Sequence, residues 1–203
     1  MADGVDRFRR FLCDLTKLCD AGADEGDIRE HGGASLRALI AADDWLPPEF
    51  GEPDPKSYRQ YLLYCDPLER FSVVSFVWGP GQRTPVHDHT VWGLIGMLRG
   101  AEISRNYAAE PCGRLAQAGE ERLVPGMVTA VSPLIGDIHQ VENALCDRPS
   151  ISIHAYGANI GAVARHVFVP QSGETKPFVS GYSNRMLPNL WDRSAAMRAH
   201  LGI

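Results

Sequence analysis

Two histidines separated by one residue form the pattern in this sequence that is best suited to metal chemistry. They lie in the segment Pro85-Val86-His87-Asp88-His89. On a β-strand, residues i and i+2 point to the same face of the sheet, so both imidazoles can reach one ion. Asp88 points to the opposite face by the same alternation, and we expect it to be a solvent or turn residue. A third histidine, His139, follows Gly136 further along the chain.

Glycines and a proline around these histidines complete two spaced motifs. Gly81-x5-His87-x-His89-x3-Gly93-x6-Gly100 resembles the first cupin motif, with Gly93 where that motif has a glutamate. Pro133-x2-Gly136-x2-His139-x3-Asn143 resembles the second cupin motif, with one extra residue between proline and glycine. We therefore predict that His87, His89 and His139 bind one metal ion. Because all three ligands are neutral, the ion keeps its full charge and favours a soft anionic donor such as a thiolate.

A second pattern, Ser152-Ile153-His154-Ala155-Tyr156, places three polar side chains on one face of a predicted strand. Neighbouring members of this Ser152–His154–Tyr156 ladder can form hydrogen bonds. Such bonds would set the tautomer of the imidazole and present the tyrosine hydroxyl to the metal pocket. The alternative interpretation is the polar face of a half-exposed strand.

Short runs rich in β-branched and aromatic residues must position these side chains. They lie between glycine and proline breaks and predict an antiparallel sandwich or barrel. The predicted strands are Tyr58–Tyr64, Phe71–Trp78, Val91–Leu98, Ala101–Tyr107, Met127–Val131, Ser150–Tyr156 and Ala164–Val169. We predict a surface loop over residues 108–120.

Helical spacing of apolar residues appears at the two ends of the chain. Residues 5–19 predict an amphipathic helix. Ser35 is expected to cap a second helix that continues to Ile40, and the proline-rich stretch 46–55 is a connector. The segment from Trp191 to Leu201 predicts a short C-terminal helix.

Composition narrows the possible functions. The chain has 203 residues, of which 44% are hydrophobic and 22% charged, as expected for one globular domain. Its net charge of −5 argues against nucleic acid as a partner. No apolar run approaches the ~20 residues needed to cross a membrane, and no secretory signal is visible. Five cysteines without a disulfide or zinc spacing indicate a reducing compartment, so we expect a cytoplasmic protein.

Taken together, the motifs resemble those of the thiol dioxygenases of the cysteine dioxygenase family, from about Tyr58 to Arg165. The resemblance implies a mainly β cupin, a small antiparallel jelly-roll barrel, as a single domain over 1–203. In this scheme a helical segment occupies 1–45, the barrel about 57–182, and a C-terminal segment 183–203. It also implies one Fe(II) per chain, with a thiol and O2 as substrates and a sulfinate as product. Ser152, His154 and Tyr156 would be the catalytic residues; the oligomeric state stays open.

Three departures from the cysteine-specific branch point to a glutamine-type bacterial branch, which resembles 3-mercaptopropionate dioxygenase. Gln60 stands where the cysteine-specific branch has a carboxylate-binding arginine. Gly93 stands where the mammalian enzymes have a cysteine cross-linked to the active-site tyrosine. Gly157-Ala158 replaces Ser-Pro after Tyr156. The resemblance then implies that Gln60 and Arg165 bind the substrate carboxylate.

Several alternatives remain open. The chain could be a cysteine dioxygenase, or act on cysteamine or mercaptosuccinate. It could also be a cupin enzyme that uses Mn, Ni or Zn, or a non-catalytic cupin that senses or stores a small molecule.

Overall fold

The computed structural model describes residues 2–111, 113–184 and 192–203. Its N-terminal part is helical, as the sequence predicts. Helix α1 spans Ala2–Asp20, the short α2 spans Glu25–Asp27, a π-helical turn covers Ile28–Gly32, and α3 spans Gly33–Leu39. The apolar face of α1 is buried through Phe11 and Leu15.

Ser35 does not cap a helix, so that prediction is wrong. Helix α3 begins at Gly33 and continues directly from the π-helical turn, which places Ser35 inside it. The Ser35 hydroxyl instead donates to Asp14 Oδ2 on α1 (2.7 Å). The serine therefore ties the two helices to each other.

Two antiparallel sheets follow the helices, and together they confirm the predicted mainly β architecture. Sheet I has the strand order β1-β2-β9-β4-β7, and sheet II the order β11-β10-β3-β8-β5-β6. The strands are β1 Arg59–Cys65, β2 Ser72–Trp78, β3 Val86–His87, β4 Gly93–Arg99, β5 Glu102–Ala109, β6 Leu115–Leu123, β7 Val128–Val131, β8 His139–Asn143, β9 Ser150–Tyr156, β10 Arg165–Val169 and β11 Glu174–Phe178. Short 3-10 turns cover Pro48–Phe50 and Ile160–Ala162, and helix α4 spans Ser194–Leu201.

Sheet I separates two apolar layers, which explains why its central strands are buried on both faces. On β9, Ile151, Ile153 and Ala155 join the cluster formed with the N-terminal helices. Tyr156 belongs to a second cluster, which includes Val141 of sheet II. Because strand side chains alternate, residues 152, 154 and 156 face the interior between the sheets.

The predicted loop over 108–120 is wrong. Strand β5 continues to Ala109, and β6 occupies Leu115–Leu123 and pairs with it. The edge strand β11 was not predicted either; it contains Pro177, which an edge tolerates because one side of the strand lacks a partner.

The C-terminal helix is shorter than expected, and Trp191 lies outside the described residues. Four cysteines, Cys13, Cys19, Cys65 and Cys146, are free thiols, and Cys112 also lies outside the described residues. In the part of the chain that the structure describes, no helix is long and apolar enough to cross a membrane.

Candidate metal centre

Sheet II brings the three histidines of the two motifs together. His87 on β3 pairs in register with His139 on the neighbouring β8, and His89 lies two residues beyond the end of β3. The ring centroids are 4.8–4.9 Å apart, and one nitrogen of each ring lies within 4.8 Å of the others. All three side chains are buried.

Hydrogen bonds at Nδ1 orient each of the three rings. The Nδ1 atom of His87 lies 3.1 Å from the Pro85 carbonyl oxygen, and that of His89 lies 3.2 Å from the Asp137 carbonyl oxygen. The Nδ1 atom of His139 contacts Ser104 Oγ at 3.1 Å. Carbonyl oxygens only accept, so in His87 and His89 the Nδ1 atom carries the proton and Nε2 is the atom that offers a lone pair.

Burial keeps these imidazoles neutral. It lowers the pKa of His87 and of His89 well below the ordinary 6.5, and the neighbouring His139 adds to the effect. Burial, followed by the charge of Arg165, lowers the pKa of His139 to about 4. Three neutral imidazoles with convergent nitrogen atoms, two of them in a tautomer fixed by a carbonyl acceptor, fit a divalent transition-metal ion.

Two aspartates that the sequence did not mark as functional hold the loop carrying His89. The Asp137 carboxylate accepts the backbone N–H groups of His89 (3.1 Å) and Thr90 (2.9 Å). The expectation that Asp88 is a solvent or turn residue is wrong, because it is only 8% exposed. Its carboxylate accepts from the backbone N–H of His166 on β10 (2.7 Å) and contacts the ring Nδ1 (2.8 Å). Asp88 therefore connects the metal-site strand to the strand that carries Arg165.

The Ser152–His154–Tyr156 ladder is buried and hydrogen-bonded throughout. Ser152 Oγ lies 2.8 Å from His154 Nε2, and His154 Nδ1 lies 2.8 Å from the Tyr156 hydroxyl. The Tyr156 ring stacks on His89 at a centroid distance of 5.3 Å. The alternative interpretation as a half-exposed polar face is thus wrong. Burial lowers the pKa of His154 to about 3 and raises that of Tyr156 well above its ordinary value.

Arg165 begins β10 as a buried cation, 3% exposed. Its Nη2 atom donates to Ser180 Oγ (2.7 Å), and its guanidinium carbon lies 4.6 Å from the centre of the Phe178 ring. Within the described residues, Nε has no hydrogen-bond partner and no acidic side chain forms an ion pair with the guanidinium. Arginine stays protonated even where burial lowers its pKa, as it does here. A positive charge without a direct ion-pair partner among the described residues therefore lies inside the protein, and the Asp88 carboxylate acts on it only at longer range.

Gln60 on β1 also forms a hydrogen bond with Ser180. Its Nε2 atom donates to Ser180 Oγ (3.3 Å) and to the Gly181 carbonyl oxygen (3.1 Å). A cavity of about 750 Å³ opens at this point, and its lining includes Gln60, Phe178 and Ser180. Ser180 thus joins the two predicted substrate-binding residues, although nothing in its sequence context marks it.

Gly93 on β4 faces Tyr156 on the adjacent strand. A Cβ atom built on Gly93 would lie 2.9 Å from Tyr156 Cε1 and 2.9 Å from Val131 Cγ2. Any larger residue would displace one of these groups, so the glycine gives the tyrosine ring its room.

Comparison with known proteins adds a family and a set of similar structures. The family model described as cysteine dioxygenase type I matches residues 41–168. An uncharacterized conserved protein with a double-stranded β-helix domain from Klebsiella pneumoniae is 14% identical, with a TM-score of 0.45; the alignment covers 67% of this chain and 96% of that chain. A cupin superfamily protein from Desulfitobacterium hafniense is 14% identical, with a TM-score of 0.43, over 57% of this chain and 92% of that chain.

Proposed function

The chain belongs to the cysteine dioxygenase type I family, and on that premise we propose that it is a non-haem Fe(II) thiol dioxygenase acting on a small thiol carboxylate. The reaction, RSH + O2 → RSO2H, places both oxygen atoms on sulfur and needs no further reductant. The observation that carries the proposal is the cluster of three buried, neutral imidazoles beside an unpaired buried arginine.

His87, His89 and His139 would hold the iron through their Nε2 atoms, since each Nδ1 is engaged in a hydrogen bond. Bound Fe(II) supplies positive charge that favours a thiolate over a thiol, and a redox-active centre for O2. The protein keeps the ligand rings neutral by burial and fixes their orientation. Tyr156, stacked on His89, would orient the reacting groups with its hydroxyl.

Arg165 would bind the carboxylate of the substrate. A buried guanidinium without a direct ion-pair partner is costly, and a carboxylate pairs with it through two parallel hydrogen bonds. Gln60 would act mainly through Ser180, because its amide N–H groups already bind that serine and Gly181. The amide thereby helps to hold the hydroxyl that contacts Arg165.

We further propose that 3-mercaptopropionate is preferred over cysteine, although cysteine remains the alternative. The cavity at Gln60 and Ser180 borders side chains that contact Arg165, and among the described residues its lining consists of neutral side chains and Arg59, without an acidic side chain. The ammonium group of cysteine would find no counter-charge there. A thiol that carries a carboxylate but no amine avoids this cost.

Anaerobic loading with Fe(II), followed by O2 uptake against a panel of thiols, tests the proposal. We expect O2 consumption that depends on both iron and thiol, and a sulfinate that carries two heavy oxygen atoms when ¹⁸O2 is supplied. His139→Ala should abolish uptake, while the exposed control His200→Ala should retain it. Iron-loaded protein that consumes no O2 with any thiol of the panel would refute the proposed function.

A further inference from the structure

Glu102, the first residue of β5, is a fully buried carboxyl group that the proposed mechanism does not use. Its Oε1 atom accepts a hydrogen bond from Ser150 Oγ (3.3 Å), and the Ser152 hydroxyl lies close enough to favour the charged form of the carboxyl group. Within the described residues, Oε2 has no partner. Ser152 is also the first member of the Ser152–His154–Tyr156 ladder. Glu102 therefore lies beside the Ser152 end of the ladder, and a hydrogen bond between the two side chains would extend the ladder into a path from Glu102 to Tyr156.

This path has two possible directions. A charged carboxylate only accepts hydrogen bonds, so Ser152 would donate to it. His154 would then donate Nε2–H to Ser152 and accept the Tyr156 hydroxyl proton at Nδ1. A protonated Glu102 can donate to Ser152 instead, which reverses every bond. In that case His154 donates Nδ1–H to Tyr156, and the hydroxyl proton of Tyr156 is free to point into the metal pocket.

We propose that Glu102 is a positioning residue for the proposed dioxygenase reaction, and that its protonation decides whether Tyr156 donates a hydrogen bond into the metal pocket. The inference rests on the proposed function for its catalytic consequence. The hydrogen-bond path itself depends only on the four side chains.

The protonated form of Glu102 is favoured at neutral pH. Burial raises its pKa to about 8, against the opposing effect of hydrogen bonds from Ser152 and Ser150, and no cation among the described residues contributes. Its register partners on the two neighbouring strands, Leu123 and Asn143, are uncharged.

The other titratable groups on the path do not change state near neutral pH. The pKa of His154 lies at about 3, and that of Tyr156 lies well above its ordinary value. Between pH 6.5 and 9.5, Glu102 is therefore the member of the path that loses a proton. Tyr156 is expected to donate into the pocket at pH 6.5 and to stop doing so as the pH rises through about 8.

Long-range ¹H–¹⁵N spectra of the metal-free protein test the inference through the tautomer of His154. We expect Nδ1–H at pH 6.5 and Nε2–H at pH 9.5 in the wild type. Glu102→Gln should keep Nδ1–H at both values, because its amide donates to Ser152 and does not ionise. Glu121→Gln, on the neighbouring strand β6, is the matched control and should switch as the wild type does.

Activity provides the second measurement. With iron and thiol, the wild-type kcat should fall by about tenfold or more between pH 7 and 9.5, as one controlling group ionises. Glu102→Gln should lose less than about twofold over the same range. An unchanged His154 tautomer across the wild-type pH series would overturn the inference. This series uses only the wild-type protein, so it tests the inference even if Glu102→Gln does not fold. A complete lack of thiol oxidation would refute the proposed function, whereas the spectra would still decide the role of Glu102.

Discussion

Gly93 and Tyr156 are register partners on adjacent strands of sheet I, and a Cβ atom on Gly93 would lie only 2.9 Å from Tyr156 Cε1. A cysteine at this position would hold its sulfur against the edge of the phenol ring. The glycine removes that possibility, so Tyr156 has no thiol partner on β4. The buried Cys65 lies on the edge strand β1, which β2 separates from the strand β9 that carries Tyr156.

We therefore expect Tyr156 to be unmodified. The purified protein should run as a single species on denaturing gels, and peptide mapping should return an intact tyrosine. Gly93→Cys is the informative variant, because iron, O2 and thiol could then oxidise the Cys–Tyr pair to a thioether with loss of two hydrogen atoms. A thioether at Tyr156 in the wild-type protein would contradict the assignment of Gly93.

Removal of any one proposed iron ligand should empty the site. His87→Ala, His89→Ala and His139→Ala should each lose bound iron and activity, because a site with three protein ligands tolerates no loss. His31→Ala and His200→Ala alter exposed histidines and should keep both. Elemental analysis after Fe(II) loading is the measurement, and full iron occupancy in the His139 variant would show that the ligand set is wrong.

Ser104 orients His139 through a 3.1 Å contact at Nδ1. Its removal should leave the ligand in place but let the ring rotate. We expect Ser104→Ala to weaken iron binding by about 10- to 100-fold, as for other groups that orient metal ligands. Ser75→Ala is a suitable control, since this serine is also buried but donates to the Phe50 carbonyl oxygen. Equal iron affinity in the two variants would argue against an orienting role for Ser104.

The metal-free protein should lose stability in mild acid. His154 has a pKa near 3 in the folded protein and about 6.5 when unfolded, so the folded state binds fewer protons between these values. The contribution of His154 is complete above pH 6.5 and falls by about 1.4 kcal/mol per pH unit as the pH decreases toward 3. Denaturant titrations should show a shallower pH slope for His154→Gln and an unchanged slope for His200→Gln. Identical slopes would contradict the burial of a neutral His154.

Local periodicity accounts for the part of the site that could be predicted. Two residues on one strand share a face, a rule that aligns Ser152, His154 and Tyr156 on β9. The same rule led to the correct pairing of His87 with His89, although β3 ends at His87 and His89 follows on a loop. The cupin-like spacing of the glycines identified His139 as the third candidate ligand. These relations depend on residues that are close in sequence or on a known motif, and the structure brings all six side chains to one interior.

Other features depend on contacts between distant segments. Asp137 binds the backbone of His89 across 48 positions, and Ser180 meets Gln60 across 120 positions. Neither contact has a local signature. Strand β6 was missed because Gly119, Glu120, Glu121 and Arg122 give an exposed edge strand little apolar alternation. A polar edge strand and a polar loop have similar sequences, and only pairing with β5 distinguishes them.

Substrate choice gives the last prediction, which depends on the charges around Arg165. Its guanidinium lacks a direct ion-pair partner among the described residues, whereas the described lining of the cavity at Gln60 and Ser180 offers a substrate ammonium no counter-charge. We expect kcat/KM for 3-mercaptopropionate to exceed that for cysteine by at least about tenfold, or ~1.4 kcal/mol in transition-state binding. Oxygen-electrode kinetics measure this ratio, and equal or greater efficiency with cysteine would refute the proposed preference.

Arg165→Ala separates the carboxylate contribution from the rest of that preference. The variant should raise KM for 3-mercaptopropionate, because the carboxylate loses its charged partner, and should reduce the margin over cysteine. Cysteamine has no carboxylate, so its turnover should change little and serves as the internal control. Ser180→Ala keeps the guanidinium but removes its 2.7 Å contact, and should raise KM less than Arg165→Ala does. A similar loss of turnover with cysteamine would mean that Arg165 stabilises the fold rather than binds the substrate carboxylate. Cysteamine has no carboxylate, so only a structural defect would impair its turnover.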